Sequence, residues 1–134
     1  MGRKVLVVDD ELDMRIYVTT LLETNGYVPL SATDGREGLE MARRHKPSLI
    51  ILDVMMPRMG GIRMYLELKR DPELAGIPVI MLSAVSRKTF LSSRNLLSRS
   101  EGMELPPPAA YIEKPPESDQ LLQAIRETLG EARQ

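Results

Sequence analysis

Three short, largely apolar runs set the strongest limit on what this chain can fold into. They are Val5–Val8, Leu49–Leu52 and Ile77–Leu82, and each contains at least two β-branched residues. A strand that is covered on both faces has a continuous apolar sequence, whereas a strand with one solvated face alternates. Longer amphipathic stretches separate these runs. The alternation predicts a parallel sheet with helices on both faces and right-handed crossovers.

Two weaker strands complete a predicted sheet of five. Tyr27–Ser31 contains Pro29, which cannot donate to a strand ladder, so this strand is predicted at a sheet edge. Tyr111–Glu113 follows a proline-rich break and is predicted to be a short strand. A chain of 134 residues is long enough to bury one core, so we expect a single domain.

Five helices are expected between and after these strands. They are predicted at about residues 12–25, between an Asp34 cap and Pro47, at about 62–69, at 87–99 and after a Ser118 cap. In the first helix, helical spacing brings Leu12, Ile16, Thr19 and Leu22 near one face.

The composition removes several classes of site. There is no cysteine, which excludes disulfides, thiolate zinc sites and cysteine nucleophiles. There is one histidine, so a site with several histidine ligands is excluded as well. Any metal must be held by oxygen atoms, which favours a hard cation such as Mg²⁺.

Charge and hydropathy limit the partners and the location. The formal net charge of −1 lacks the basic excess of a nucleic-acid-binding domain, so no nucleic-acid partner is expected. The longest apolar runs are four residues, whereas a membrane-spanning helix needs about 18. The N-terminus has acids directly after its apolar run, unlike a secretory signal. We therefore expect a cytoplasmic protein that does not bind membranes.

Polar residues stand at the carboxyl ends of four predicted strands. Asp9 and Asp10 follow the first strand, Asp53 the third, Ser83 the fourth and Lys114 the fifth. Ligands of such sheets bind at these ends. Neighbouring carboxylates repel unless a cation joins them, and Mg²⁺ prefers carboxylates, water and phosphate oxygens. A lysine beside a metal site indicates a dense anion such as a phosphoryl group, to which a serine hydroxyl can donate.

Four sequence pieces carry a resemblance to a known family. They are VLVVDDE at Val5–Glu11, LIILDVMMPRMGG at Leu49–Gly61, PVIMLSA at Pro78–Ala84 and YIEKP at Tyr111–Pro115. In this order they resemble the receiver domain of two-component response regulators, over nearly the whole chain. The resemblance implies one receiver domain over residues 1–134. It also implies a flavodoxin-like (βα)5 fold with strand order 2-1-3-4-5, which makes the second strand an edge.

The resemblance also implies roles in phosphoryl chemistry. Asp53 would accept a phosphoryl group from a sensor histidine kinase or a phosphotransfer protein. Asp10, Asp53 and the carbonyl oxygen of Met55 would hold Mg²⁺, with Asp9 acting through water. Lys114 would contact a phosphoryl oxygen. The domain is therefore expected to be no enzyme in the ordinary sense, although it assists its own phosphorylation and dephosphorylation.

Further roles implied by the resemblance concern switching. Ser83 would move to bond the phosphoryl group, and Tyr111 would change its ring position when Ser83 moves. The Lys114–Pro115 peptide bond would be cis. The implied partners besides the kinase are an unknown downstream protein or output domain and, after phosphorylation, a second copy of the chain.

One region departs from the family pattern. The stretch between Ser83 and Lys114 is longer than usual by about two helical turns' worth of residues. The sequence ELPPPAA at Glu104–Ala110 replaces the usual glycine-alanine pair, so the segment at about residues 100–110 is atypical. The preceding helix carries Arg87, Lys88, Arg94 and Arg99, which form either a solvated basic face or a docking surface.

Two other functions compete with a phosphoryl switch. A degenerate receiver would be a constitutive protein-binding module, and the loss of an acid or the lysine would favour it. All of Asp9, Asp10, Asp53 and Lys114 are present. A magnesium-dependent phosphatase of the haloacid dehalogenase type also uses an aspartate nucleophile, but it needs a second aspartate two residues later, where this chain has Met55. A nucleotide site is disfavoured because no glycine-rich phosphate loop occurs.

Overall fold

The structure is a computed structural model that describes residues 2–56 and 59–131. Its five strands are β1 (Lys4–Val8), β2 (Val28–Ala32), β3 (Leu49–Leu52), β4 (Val79–Ser83) and β5 (Ala110–Glu113). They form one parallel sheet in the order β2-β1-β3-β4-β5. This order confirms the flavodoxin-like prediction and places β2, with Pro29, at an edge. Pro57 and Arg58 of the second sequence piece lie outside the described residues.

Within the described ranges the helices are α1 (Leu12–Thr24), α2 (Gly35–His45), α3 (Gly61–Arg70), α4 (Arg87–Glu101) and α5 (Ser118–Thr128). They cover both faces of the sheet because alternate strand residues point to opposite sides. Leu6 and Val8 pack with residues of α2, α3 and α4, whereas Val5 and Val7 pack with residues of α1 and α5. No helix among the described residues is both long and apolar enough to cross a membrane.

The predicted face of α1 is only partly confirmed. Leu22 is buried, but Leu12 and Ile16 are 59% and 54% exposed, and Thr19 is only partly buried. Val18, which was not in the predicted set, is buried together with Leu22. Val18 and Leu22 are also spaced one helical turn apart, so periodicity alone could not single out Val18. The orientation of α1 on the sheet buries Val18 and Leu22 and leaves Leu12 and Ile16 in solvent.

Of the two predicted helix caps, the Asp34 cap is confirmed and the Ser118 cap is wrong. Asp34 is the N-cap of α2, and its Oδ1 accepts a hydrogen bond from Glu37 N at 3.0 Å. Ser118 is not a cap, because α5 begins one residue earlier than predicted. Glu117 occupies the cap position without a side-chain hydrogen bond, and Ser118 is the first helical residue.

The atypical segment is packed against the helices of one layer. α4 ends at Gly102, whose φ of 63° lies in the left-handed region that glycine adopts most easily. Leu105 is buried, and its N–H donates to Ser98 Oγ at 3.1 Å. The Tyr65 hydroxyl donates to the Pro106 carbonyl oxygen at 2.9 Å. The segment therefore joins the core cluster on the α2, α3 and α4 face before β5 begins.

Candidate functional site

The carboxyl ends of four neighbouring strands, β1, β3, β4 and β5, place the polar residues side by side. Val8 of β1 pairs with Leu52 of β3, so Asp9 and Asp53 follow two adjacent positions in the register. The backbone N–H of Asp53 donates to Val8 O at 3.0 Å. On the other side, the N–H of Lys114 donates to Ser83 O at 2.8 Å. The sheet register thus brings the predicted residues together along the edge that is formed by the carboxyl ends of the strands. This edge is distinct from the lateral edge formed by β2.

Three carboxylates form a compact cluster at this edge. One oxygen from each of Asp9, Asp10 and Asp53 lies within 4.8 Å of the other two. Asp9 and Asp53 are 2% and 4% exposed, whereas Asp10 is exposed. The cluster offers only hard oxygen ligands and therefore fits a metal ion such as Mg²⁺ rather than a softer metal.

Lys114 supplies the positive charge beside these acids. Its Nζ lies 2.8 Å from Asp9 Oδ2, 3.3 Å from Asp53 Oδ2 and 2.5 Å from Glu11 Oε1. Burial lowers the pKa of Lys114, but the hydrogen bonds to Asp9 and Glu11 and the nearby negative charges outweigh burial and raise it. The lysine is therefore an ammonium group at all physiological pH values.

Asp9 is a desolvated carboxylate that several donors hold in place. Burial raises the pKa of Asp9, and the hydrogen bonds from Lys114 and from the Glu11 N–H offset part of that rise. The Glu11 N–H donates to Asp9 Oδ1 at 2.9 Å, and Arg15 donates to the Asp9 carbonyl oxygen at 2.8 Å. The Asp9 carboxylate is thereby aimed across the edge toward Asp53.

Asp53 sits in a closely fitted turn after β3. The Met55 N–H donates to Asp53 Oδ1 at 3.2 Å, and the Met55 side chain is 65% exposed. A Cβ added at Gly61 would lie 1.8 Å from the Asp53 carbonyl oxygen, which no real contact permits. Glycine at the start of α3 therefore allows the loop to fold back over the backbone of Asp53.

Ser83 and Tyr111 are connected through the turn after β4. Ser83 is fully buried, and its Oγ accepts from the Val85 N–H at 3.2 Å. The Tyr111 hydroxyl donates to the Val85 carbonyl oxygen, and the Tyr111 ring centroid lies 4.9 Å from that of Phe90. Burial raises the pKa of Tyr111, and a hydrogen bond with Ser83 offsets part of the rise. Tyr111 is thus packed inward.

The peptide bond between Lys114 and Pro115 is cis, the isomer that the resemblance implies. It follows β5 directly, at the point where the chain turns from the sheet edge toward α5. Lys114 is therefore the last residue before this turn.

Two residues of the site were missed in the sequence. Glu11 contacts Lys114, and its position directly after Asp10 at the same sheet edge was the available signal. Arg87 joins α4 to β5, because its side chain donates to Tyr111 O at 3.0 Å and its N–H donates to Glu113 Oε2 at 3.2 Å. Nothing in the sequence distinguished Arg87 from the other basic residues of α4.

A profile of the response regulator receiver domain matches residues 5–126. The chain belongs to the response regulator receiver family. It is 35% identical over 133 residues to the polar-differentiation response regulator DivK of Brucella anthropi, an alignment that covers 98% of this chain and 100% of DivK.

Solved structures of receiver domains have the same fold. The chemotaxis response regulator CheY4 of Vibrio cholerae superposes with a TM-score of 0.80 at 26% identity, covering 96% of this chain and 99% of CheY4. The signal receiver domain of a signal transduction histidine kinase from Syntrophus aciditrophicus gives a TM-score of 0.78 at 29% identity, covering 96% and 91% of the two chains. Receiver domains of response regulators are signalling domains that interact with histidine kinases or phosphotransfer proteins.

Proposed function

We propose that Asp53 is the phosphoacceptor of a two-component switch and takes its phosphoryl group from a phosphohistidine of a sensor kinase or phosphotransfer protein. The observation that carries this proposal is the environment of Asp53. The carboxylate is 4% exposed at the end of a buried strand, with a backbone N–H on one oxygen and the Lys114 ammonium 3.3 Å from the other. The N–H contact alone is a common local turn, which Asp71 also makes with the Glu73 N–H at the surface. Burial beside Lys114 distinguishes Asp53 from such an acid, and its place in the LIILDVMMPRMGG piece of the receiver pattern distinguishes it from Asp9.

The transfer requires a nucleophile, charge neutralisation and alignment. A carboxylate oxygen of Asp53 forms a bond to phosphorus while the phosphorus–nitrogen bond of the donor breaks, and the electron pair returns to the imidazole. Lys114 neutralises charge on the phosphoryl oxygens, which is the main contribution that a protein makes to such a reaction. Glu11 and Asp9 hold the lysine at the edge where the phosphoryl group arrives.

The acidic cluster would hold Mg²⁺ in this reaction. Asp10, Asp53 and the carbonyl oxygen of Met55 are the proposed ligands, and Asp9 acts through water. When bound, the ion neutralises charge on the phosphoryl oxygens. The exposed position of Asp10 leaves the oxygen atoms of the cluster accessible from solvent.

The proposed switch runs from Ser83 to Tyr111. Phosphorylation adds nearly two negative charges and about one to three charge-assisted hydrogen bonds. The Ser83 hydroxyl turns toward the phosphoryl group and releases the Val85 N–H, and Tyr111 repacks against the same turn. A bias of a few kcal/mol shifts a population rather than converting it fully, because a change from 1:99 to 99:1 needs about 5.5 kcal/mol.

Intact-mass measurement tests the acceptor. With Mg²⁺ and acetyl phosphate, the wild-type protein should gain one phosphoryl group, and Asp53→Asn should gain none. Asp10→Ala should react much more slowly, because the ion loses one of two direct carboxylates. Asp13→Asn is the matched control, since Asp13 is an exposed acid in the first turn of α1. Equal labelling of the wild type and Asp53→Asn would overturn the proposal.

The coupling from Ser83 has a test of its own. Ser83→Ala should leave Asp53 phosphorylation largely intact and should abolish the change in NMR shifts at Tyr111 when beryllofluoride is added. Identical shifts in the wild type and Ser83→Ala would show that Ser83 does not couple the two sites.

The two competing functions have less support. A constitutive binding module would not need three clustered carboxylates and a lysine that contacts two of them. A phosphatase of the haloacid dehalogenase type needs an acid two residues after the nucleophile, and Met55 has no group that exchanges a proton. The phosphoacceptor role is therefore the function that the geometry favours.

A further inference from the structure

A second candidate site lies away from Asp53, in the groove between the later half of α4 and the segment that follows it. Arg94, Asn95, Ser98 and Arg99 form one wall, and the segment Glu104–Pro107 forms the other. The groove has a volume of about 460 Å³, which is within the range of ligand sites in proteins. The proposed phosphoryl chemistry uses none of these residues.

The two arginines of the groove have unused hydrogen-bonding capacity. Arg94 Nε is buried and lacks a hydrogen-bond partner. No ion pair between described residues includes Arg94 or Arg99. The only acid of α4 is Glu101, which is already paired with Arg63 and Arg70 of α3. An unsatisfied guanidinium is the group that gains most from an incoming anion.

The geometry of the groove favours a carboxylate on a peptide. A guanidinium donates two parallel hydrogen bonds to a planar carboxylate, and the exposed Asn95 amide can bond the backbone beside it. Pro106 and Pro107 are exposed and present apolar surface to the neighbouring side chain of the same peptide. One strip of surface thus combines cationic, amide and apolar contacts.

The groove carries a net positive charge. Two arginines and the exposed Glu104 give a net charge of +1, which attracts an anion. The prolines and the Asn95 amide beside the arginines fit a carboxylate on a peptide better than a free phosphate ion, which has no apolar or amide group to contact them. We propose that this groove is a docking site for an acidic segment of a partner protein, with an aspartate or glutamate carboxylate bound by Arg94 and Arg99.

Peptide titration followed by NMR tests the proposal on the full chain. The probe is the acetylated and amidated pentapeptide Asp-Glu-Leu-Asp-Glu, and its control is the uncharged analogue Asn-Gln-Leu-Asn-Gln. The acidic peptide should produce saturable shifts in the Leu105 amide and in the arginine side-chain signals, and the control peptide should not. Arg94→Gln and Arg99→Gln should each weaken binding about tenfold. Glu104→Gln should tighten it about threefold, because it removes a repelling charge.

Two further variants control for general charge effects and for a failure of Arg94→Gln to fold. Lys88→Gln removes an exposed cation of the same helix outside the groove and should leave the affinity unchanged. Arg99 is exposed, so Arg99→Gln decides the question if Arg94→Gln does not fold. The proposal is overturned if no saturable shift occurs or if Lys88→Gln weakens binding as much as Arg99→Gln. It is also overturned if inorganic phosphate or pyrophosphate produces the same shifts at lower concentration. Phosphorylation of Asp53 in each variant reports separately on the proposed function.

Discussion

Backbone pairing positions the strand ends that carry Asp53, whereas mainly side-chain contacts position the segment between α4 and β5. At the edge, each functional residue directly follows a buried strand, and backbone pairing fixes its position, as when the Asp53 N–H donates to Val8 O. The segment after α4 has a single backbone hydrogen bond to the sheet, from the Ala109 N–H to Val79 O at 2.8 Å, directly before β5 begins. Otherwise it is held by the buried side chain of Leu105 and by side-chain hydrogen bonds from Tyr65 and to Ser98.

The sheet therefore positions the carboxylates for phosphoryl chemistry, whereas the segment after α4 forms part of the surface. The sheet holds the carboxylates together although they repel each other, because the strands are stabilised by cores on both faces. The segment adds Leu105 to one of these cores but supplies none of the clustered carboxylates or Lys114. We therefore expect changes at the edge to affect phosphorylation and changes in the segment to affect stability.

The largest expected effect comes from removing the cation at the edge. Lys114→Met keeps most of the side-chain volume but removes the charge that contacts Asp9 and Asp53. The rate of Asp53 phosphorylation by acetyl phosphate should fall about a hundredfold, since one group that stabilises the transferring charge is lost. Lys88→Met is the control and should react like the wild type. A reaction rate of Lys114→Met within a factor of two of the wild type would contradict the assigned role.

The next effect tests the anchor of the segment. Leu105→Ala removes a buried side chain that is 3% exposed, and the free energy of unfolding should fall by about 3 kcal/mol. Leu91→Ala, at a position that is 39% exposed, should change it by less than about 0.5 kcal/mol. Urea unfolding measures both. The folded Leu105→Ala protein should still phosphorylate at the wild-type rate, and a large loss of rate would show that the two regions are coupled.

A smaller effect is expected at Tyr65. Tyr65→Phe removes the hydrogen bond to Pro106 O and should lower the free energy of unfolding by about 1 kcal/mol at neutral pH. Burial raises the pKa of Tyr65 from 10.0 to about 12, and the charge of Arg94 offsets part of the rise. The protonated hydroxyl therefore stabilises the fold fully below pH 10, and this contribution is lost as the pH rises to about 12.

Alkaline unfolding measurements check the sign of this effect. Between pH 10 and pH 12 the wild type should lose more stability than Tyr65→Phe, because only the wild type can ionise residue 65 when it unfolds. Equal losses in the two proteins would mean that the Tyr65 hydroxyl is not in the buried environment described above.

The sequence was most informative where backbone pairing determines the structure. The apolar runs of β1, β3 and β4 predicted buried parallel strands, and Pro29 predicted the edge position of β2; the sheet confirms both. The convergence of Asp9, Asp53 and Lys114 followed from their places at strand ends. These inferences succeed because parallel pairing brings equivalent strand ends to one side of the sheet.

Helix orientation and side-chain partners were less predictable. Of the four α1 residues predicted to share a face, Leu22 is buried but Leu12 and Ile16 are exposed, and the buried Val18 was not predicted. The contact between Glu11 and Lys114 joins residues that are far apart in the sequence. The path of the segment after α4 depends on where Leu105 fits between helices. Each of these features depends on tertiary packing, which local spacing does not determine.

The most direct test of Asp53 as the phosphoacceptor is to map the phosphorylated residue. Borohydride reduces an aspartyl phosphate to homoserine, which marks the acceptor permanently, and tandem mass spectrometry of the digested protein then locates it. After reaction with acetyl phosphate and Mg²⁺, homoserine should appear at Asp53 and at neither Asp9 nor Asp10, although all three carboxylates lie within one cluster. Homoserine at Asp9 or Asp10, or unmodified Asp53 in a protein that has gained a phosphoryl group, would contradict the account.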